Sequence, residues 1–139
     1  MNEFNYVQNI AVRFGDLDTL GHVNNVAYVK YLEEARGGYY DNVVGVPFET
    51  LHTVIAMLQI EYHSEITPNQ SVDVGVRVPQ LGDSSIPMEY EIRTTESNSG
   101  ETTIAATAET IQVNTDPETR KAATIPVDWR TAISNYENL

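Results

Sequence analysis

Apolar and charged residues follow helical spacing over residues 24 to 45. At about 100° of rotation per residue, the two classes fall on opposite sides of a helix. The apolar side holds Tyr28, Leu32, Ala35, Tyr39 and Val43, and the charged side holds Lys30, Glu33, Glu34 and Asp41. This separation predicts one long amphipathic helix with a buried face and a solvent face.

The ends of this helix carry residues that commonly begin and end helices. Asn24 or Asn25 can serve as the N-cap, because a short side-chain oxygen accepts one of the free N–H groups of the first turn. Gly45 suits the position after the last turn. Gly37 and Gly38 lie in mid-helix, where each costs about 1 kcal/mol relative to alanine. We expect either a close approach of another backbone at these glycines or a kink in the helix.

The rest of the chain changes to a period of two, which is typical of half-buried β-strands. A first strand is predicted over residues 5–13, and four more follow the helix within 53–66, 72–78, 86–92 and 101–114. In the strand over 53–66, the residues predicted to share one side are Val54, Ala56, Leu58, Ile60 and Tyr62. Short turns between these four strands favour antiparallel pairing.

This order of elements predicts an α+β fold. Strands of about 14 residues would reach about 45 Å if flat, so the sheet has to curl, and the long helix is the natural object inside the curl. Residues 120–125 are expected to pair briefly, and Pro126 to open a final helix that carries Trp129 and Ile133. We predict a single domain, residues 1–139, in which a curved antiparallel sheet of about five strands wraps one long central helix, followed by a short C-terminal helix.

The composition narrows the function classes. The 139 residues carry a formal net charge of -12, from 20 acidic and 8 basic residues, which disfavours nucleic acid and anionic lipid as partners. Cysteine is absent, which excludes disulfides, a thiol nucleophile and cysteine ligands to zinc. No apolar run is long enough to span a membrane, and the first ten residues lack the features of a secretory signal. A cytoplasmic location is therefore expected.

A dense polar stretch, RFGDLDTLGHVNN over residues 13–25, lies directly before the helix. Its residues could form a turn, a metal site or a catalytic centre. Asp16, Asp18 and His22 are adequate metal ligands as residue types, but nothing else supplies a convincing fourth ligand, and we predict no metal. Without cysteine, a carboxylate is the available group for activating a water or attacking a carbonyl carbon.

The stretch FGDLDTLGHVNNVAYVKYLEEAR resembles the signature of the hotdog-fold thioesterases of the 4-hydroxybenzoyl-CoA thioesterase-like group. The matching positions are Asp16, Asp18, Gly21, His22, Val23, Asn24, Asn25, Tyr28, Tyr31, Glu34, Ala35 and Arg36. The predicted strand order is also similar, so the resemblance covers nearly the whole chain. It implies hydrolysis of a fatty or aromatic acyl-CoA to the free acid and CoA, without a cofactor. It also implies homodimers or homotetramers with active sites at subunit interfaces.

The resemblance further implies roles for individual residues. Asp18 would attack the thioester carbonyl or orient a water, the backbone N–H near Asn25 would polarise the carbonyl oxygen, and His22 would order the loop or a water. Asp16 also fits a brace of the loop, and Tyr28, on the buried face, also fits a packing residue. The residues expected to contact substrate are Asp16, Gly21, Val26, Tyr28, Arg77 and Arg93. The two arginines, with Arg120 and Lys121, are candidates for binding the CoA phosphates.

Other functions stay open on the sequence alone. The domain could bind acyl thioesters without hydrolysing them, or it could act on acyl-carrier protein instead of CoA. A hotdog-fold dehydratase is the nearest other enzyme, although it uses a histidine and an acid in a different sequence context. The D-x-D pair of haloacid-type phosphatases is a weaker match, because those enzymes need a larger, doubly wound domain.

Overall fold

The computed structural model describes residues 4–139, so the first three residues of the predicted domain, and of the N-terminal segment in which we expect no secretory signal, lie outside the described part. The elements follow in the predicted order of one strand, a long helix, four strands and a final helix. They are β1 Tyr6–Ile10, α1 Asn25–Tyr39, β2 Thr53–Tyr62, β3 Gln70–Arg77, β4 Ser85–Glu96, β5 Thr102–Asn114 and α2 Val127–Glu137. A 3₁₀ turn precedes α1 at Phe14–Asp16, and another precedes β2 at Phe48–Thr50.

The five strands form one antiparallel, curved sheet in the order β1-β3-β4-β5-β2. One face of the sheet packs against α1, and the side chains between them form the hydrophobic core. The helix contributes Tyr28, Leu32, Ala35 and Tyr39, and β3 and β4 contribute Val72, Val74, Val76, Ile86, Met88 and Ile92, all of them buried. The predicted α+β architecture, the apolar side of the helix and the alternation of β3 and β4 are confirmed.

The asparagine pair begins α1, as expected. Asn24 is the N-cap, and its Oδ1 accepts a hydrogen bond from the Val26 N–H at 2.9 Å. At its other end, α1 continues from Tyr40 to Val44 as a wider π-helical turn, so the predicted helix combines two geometries. Gly45 has a φ of +82°, which favours glycine, and its N–H donates to the Tyr40 carbonyl at 2.8 Å.

The two mid-helix glycines make room for side chains rather than for another backbone. A Cβ atom on Gly37 would lie 3.3 Å from the Phe48 ring, and one on Gly38 would collide with the ends of Tyr6 and Gln8. The α-helix runs without interruption through both positions and widens only at Tyr40. The glycines are therefore explained by close side-chain packing, and the expected close approach of another backbone is not found at either of them.

The strand β2 differs from its sequence prediction. Its register with β5 shifts between Ile55 and Met57, which is a β-bulge. The extra residue breaks the predicted alternation, so that Ile55 and Leu58 both line a groove beside α1. As the last strand of the sheet, β2 has one edge without a partner among residues 4–139. The large apolar residues that it leaves exposed are Val54, Ile55, Leu58 and Tyr62.

The C-terminal segment fastens the chain at the far end of α1. Thr115 and Ala122 form an isolated antiparallel bridge, which confirms the brief pairing predicted near residue 120. Pro126 precedes α2, whose Ile133 is buried, and the Tyr39 hydroxyl donates to Glu137 Oε2 at 2.7 Å. In the part of the chain that the structure describes, the helices lack the length and apolar character that crossing a bilayer would need.

Candidate active site

Asp18 lies in a short loop that is closed on itself before α1 begins. Leu17 and Val23 form an antiparallel bridge across the loop, and the Asp18 N–H donates to the His22 carbonyl at 2.8 Å. The Val23 N–H donates to the Ile66 carbonyl at 2.8 Å, which ties the loop to the segment after β2. Gly21 turns the loop with a φ of +83°. The polar stretch is therefore an ordered, hydrogen-bonded loop.

The carboxyl group of Asp18 is held through one of its two oxygens. Its Oδ1 accepts hydrogen bonds from the backbone N–H groups of Leu20 (2.9 Å) and His22 (3.2 Å). Its Oδ2 forms no hydrogen bond with any of the described residues, and the side chain is exposed. One oxygen thus fixes the orientation of the carboxylate and the other is available to a ligand.

The N-terminus of α1 opens beside this carboxylate. The Asn25 N–H has no hydrogen-bond acceptor among residues 4–139, as is usual in the first turn of a helix, and the positive end of the helix dipole lies here. An open pocket of about 410 Å³ contains both Asp18 and Asn25. Its full lining is Asp18, His22, Val23, Asn25, Tyr28, Tyr62, His63, Ser64 and Glu65. The structure therefore brings Asp18, His22, Asn25 and Tyr28 together.

The opposite wall of the pocket consists of residues 62–65, and of these the sequence analysis had no indication for residues 63–65. The Tyr62 hydroxyl donates to the Asn25 carbonyl at 3.1 Å, and the Tyr28 hydroxyl donates to the Ser64 carbonyl at 3.1 Å. The two tyrosine rings meet edge to face, 5.0 Å apart. Burial raises the pKa of Tyr28, so its hydroxyl keeps its proton at neutral pH. The end of β2 thereby holds the start of α1 in place.

His22 contributes to the pocket through both its backbone and its ring. Its backbone N–H holds Asp18, and its ring Nε2 lies 3.2 Å from Glu65 Oε2. Glu65 is thus a second carboxylate at the rim of the pocket, and sequence reasoning had no signal for it, since the pair is far apart along the chain. The ring contact adds a second tie between the loop and the segment after β2. In residues 4–139, no three His, Cys, Asp or Glu side chains are grouped so as to hold a metal ion.

Asp16 lies beneath the loop and not in the pocket. It is 6% exposed, and its Oδ2 accepts hydrogen bonds from the Tyr31 hydroxyl (2.7 Å) and the Arg13 N–H (2.9 Å). Burial alone would raise the pKa of this carboxyl, but these two hydrogen bonds and the Arg13 charge together lower the pKa below its ordinary value. The geometry is that of a brace between the loop and α1.

Replacing Asp16 with asparagine is expected to lower the free energy of unfolding at pH 7 by about 2 kcal/mol, because Tyr31 and Arg13 lose a charged acceptor. Since the folded-state pKa is lowered, this stabilisation is present above the ordinary pKa of 3.8 and is lost as the pH falls through the folded-state value. Urea unfolding at pH 7 and pH 3 measures it, with exposed Asp41→Asn as the control. An equal difference at both pH values would contradict the role of the charge.

Of the residues predicted to contact substrate, Gly21 lies in the loop but not in the pocket lining, and three others lie elsewhere in the chain. Val26 is exposed on α1 and lines the groove that also holds Ile55 and Leu58. Arg77 alternates with the core valines of β3, so its side chain projects from the opposite face of the sheet, where its Nε contacts Glu89 at 2.6 Å. Arg93 projects from that face too, with its Nε 3.5 Å from Glu91. Within one chain, neither arginine is brought to the pocket.

Comparison with known proteins places this chain in a family. Residues 12–133 match the family model described as the thioesterase-like superfamily. The structure of a thioesterase from Thermus thermophilus, complexed with coenzyme A and Zn, is similar to this chain at 33% identity, with a TM-score of 0.84 over 100% of this chain and 98% of that one. A 1,4-dihydroxy-2-naphthoyl-CoA thioesterase from Synechocystis shares the fold at 19% identity, with a TM-score of 0.81 over 94% of this chain and 96% of that one.

A curated relative is less informative. The uncharacterized protein YsmA of Bacillus subtilis (strain 168) is 32% identical over 89 residues, which is 63% of this chain and 60% of that protein. The match therefore spans less than two thirds of the relative's length. The family model, in contrast, covers most of the chain, and the Thermus thermophilus structure matches it throughout. The chain therefore belongs to the thioesterase-like superfamily, and its hotdog-type fold and family membership support a thioester hydrolase.

Proposed function

We propose that this protein hydrolyses acyl-CoA thioesters, releasing a free acid and CoA, with Asp18 as the catalytic carboxylate. One observation carries the proposal: the Asp18 carboxylate and the unbonded Asn25 N–H line the same open pocket. A nucleophile or base and an oxyanion donor are the two groups that acyl transfer requires. The CoA-bound thioesterase from Thermus thermophilus supports CoA as the carrier of the acyl group.

The proposed reaction begins with the thioester oxygen against the Asn25 N–H at the positive end of α1. Either Asp18 Oδ2 adds to the carbonyl carbon, or it takes a proton from a water that adds instead. The negative charge that develops on the carbonyl oxygen is stabilised by the helix N-terminus. The C–S bond then breaks and CoA leaves as the thiolate. In the first route, water hydrolyses the resulting anhydride to regenerate Asp18.

The surrounding residues have proposed supporting roles. Gly21 and His22 hold the loop so that Asp18 faces the helix, and Tyr28 fixes the opposite wall through its hydroxyl. Asp16 acts through the loop without touching substrate, and Val26 is proposed to contact the acyl group at the start of the groove beside α1. We propose no phosphate contact for Arg77 or Arg93 from the same chain.

We further propose that two copies of the chain associate along β2. This strand has 10 residues, pairs on one edge with β5, and exposes apolar side chains next to the exposed Val26 of α1. An open edge with exposed apolar residues is a typical pairing surface. The pocket lies at the end of the same strand, so a second copy would add to its walls. A homotetramer built from such dimers is compatible with this contact. The predictions of a single domain and of a cytoplasmic location remain predictions.

The test of the activity is a thiol-release screen with purified protein. Short, long and aromatic acyl-CoAs are each offered, and the free thiol is measured; acyl-carrier protein loaded with the same acyl groups forms a parallel series. We expect turnover of at least one acyl-CoA, because the pocket holds both groups that the reaction needs. Measured affinity for acyl-CoA without thiol release would instead identify a binding protein, and turnover restricted to the carrier-protein series would replace CoA as the substrate.

A further inference from the structure

A buried arginine without an acidic partner lies at one side of α1. Arg36 is 7% exposed, and its Nη1 donates to the Tyr90 hydroxyl at 3.3 Å. Its guanidinium forms no ion pair with any carboxylate among residues 4–139. A guanidinium has five N–H donors, and a buried cation is costly unless it is paired. Tyr90 supplies one neutral acceptor, so the side chain retains donors for an anionic group.

Arg36 lines a groove that starts beside the candidate active site. The groove, about 240 Å³ in volume, has Val26 at one end, next to Asn25 of the catalytic pocket, and Arg36 further along α1. Its other lining residues are Val29, Lys30, Glu33, Ile55 and Leu58. Ten residues of helix span about 15 Å, and helical side chains lean toward the N-terminus. From Asn25 to Arg36 the helix spans about 16 Å, so a side chain that leans back by about one turn would bring its guanidinium to roughly 10 Å from the helix start along the axis.

The groove differs from the rest of the molecule in its charge. The chain as a whole carries -12, whereas the groove has two cations, Lys30 and Arg36, against one acid, Glu33. Lys30 and Glu33 are exposed, so water and salt screen them. Arg36 is largely buried, and an electrostatic contact there is stronger. A ligand with an apolar chain and an anionic end would match a groove that is apolar near Val26 and cationic at Arg36.

We propose that Arg36 binds an anionic oxygen group at the far end of the acyl chain, which makes ω-carboxyl acyl-CoAs the preferred substrate class. The inference rests on the proposed function, because the thioester has to lie at Asn25 for the chain to follow the groove. A carboxylate about 10 Å from the thioester corresponds to an acyl chain of roughly eight carbons. Planar, bidentate contact with a guanidinium is the geometry that a carboxylate favours.

The experiment compares two substrates of equal length, octanoyl-CoA and its ω-carboxyl counterpart, by thiol release. A charge-assisted contact is worth about tenfold or more in kcat/KM, so the wild type is expected to prefer the ω-carboxyl substrate by at least about that factor. Arg36→Met is expected to lower this ratio about tenfold. Lys30→Met, the matched control from the exposed rim, should change the ratio less than about threefold.

Each outcome separates this inference from the proposed function. Octanoyl-CoA hydrolysed as well as the ω-carboxyl substrate would overturn the role of Arg36 and leave the thioesterase assignment intact. An equal loss of the ratio in Lys30→Met would assign the preference to general charge, against Arg36. No turnover of any acyl-CoA would refute both. If Arg36→Met does not fold, the wild-type ratio and Arg36→Lys decide the question.

Discussion

Replacing Asp18 with asparagine is expected to lower kcat for acyl-CoA hydrolysis by about 1,000-fold, the order of effect seen when a catalytic group is removed. Asparagine keeps an oxygen that can accept from the Leu20 and His22 N–H groups, so the loop should retain its shape. What is lost is the negative charge and the second carboxylate oxygen, Oδ2, which forms no hydrogen bond with the described residues. Steady-state thiol release with the best acyl-CoA of the screen measures the change.

The matched control for this variant is Asp41→Asn, which removes an exposed carboxylate from the far end of the helix. It should retain the wild-type kcat within about twofold, since surface charges this far from the pocket are screened. Circular dichroism and the urea midpoint establish that both variants are folded. If Asp18→Asn retained more than a tenth of the wild-type kcat, the carboxylate would not be the catalytic group.

Replacing Ile55 with glutamate is expected to separate the copies of the chain. The side chain is 46% exposed on the open edge strand, and a charge there would have to be buried in an interface formed along β2. The wild type should have a mass of two or four times the 15.5 kDa chain, and the variant should shift to a single chain. Sedimentation equilibrium over a range of concentrations measures both. Activity should fall with the mass if the second copy adds to the pocket.

Val127→Glu provides the comparison for this second experiment. Val127 is 77% exposed at the start of α2, so it tests the same chemical change on a surface that the proposal leaves in solvent. Its mass should equal that of the wild type. A wild type that sediments as a single chain at every concentration would refute the association along β2, and an Ile55→Glu variant that stays assembled would move the interface elsewhere.

Most of the fold was predictable because periodicity is a local property. The helix phase and the valines of β3 could be assigned from sequence, since each depends on one buried face. β2 could not, for two reasons. A bulge near Ala56 changes the alternation within the strand, and its edge position is set by the order in which distant strands pair. Neither the bulge nor the edge position can be recognised from the residues of β2 alone.

The candidate site was predictable where it is contiguous in sequence. Asp18 and Asn25 are close along the chain and lie in a recognisable motif, whereas the wall at residues 62–65 follows from folding and has no local signal. The location of Arg77 could have been predicted. Because it alternates with the core valines of β3, it had to project away from α1. The alternation of side chains along β3 was therefore enough to argue that Arg77 does not contact the pocket of its own chain.

The hydrogen bonds and side-chain contacts that hold residues 17–23 bear on which step would limit the rate of the proposed reaction. Bonds to Ile66 and to Glu65 anchor this segment from outside, and its own bridge closes it from within. The amide hydrogens of Asp18 and Val23, which take part in these bonds, are expected to exchange more slowly than those of an open loop. The segment is poorly suited to swing open and shut around each incoming molecule. The entrance to the pocket is thus formed before a ligand arrives, and for the proposed hydrolysis we expect bond breaking or departure of the products to limit the rate.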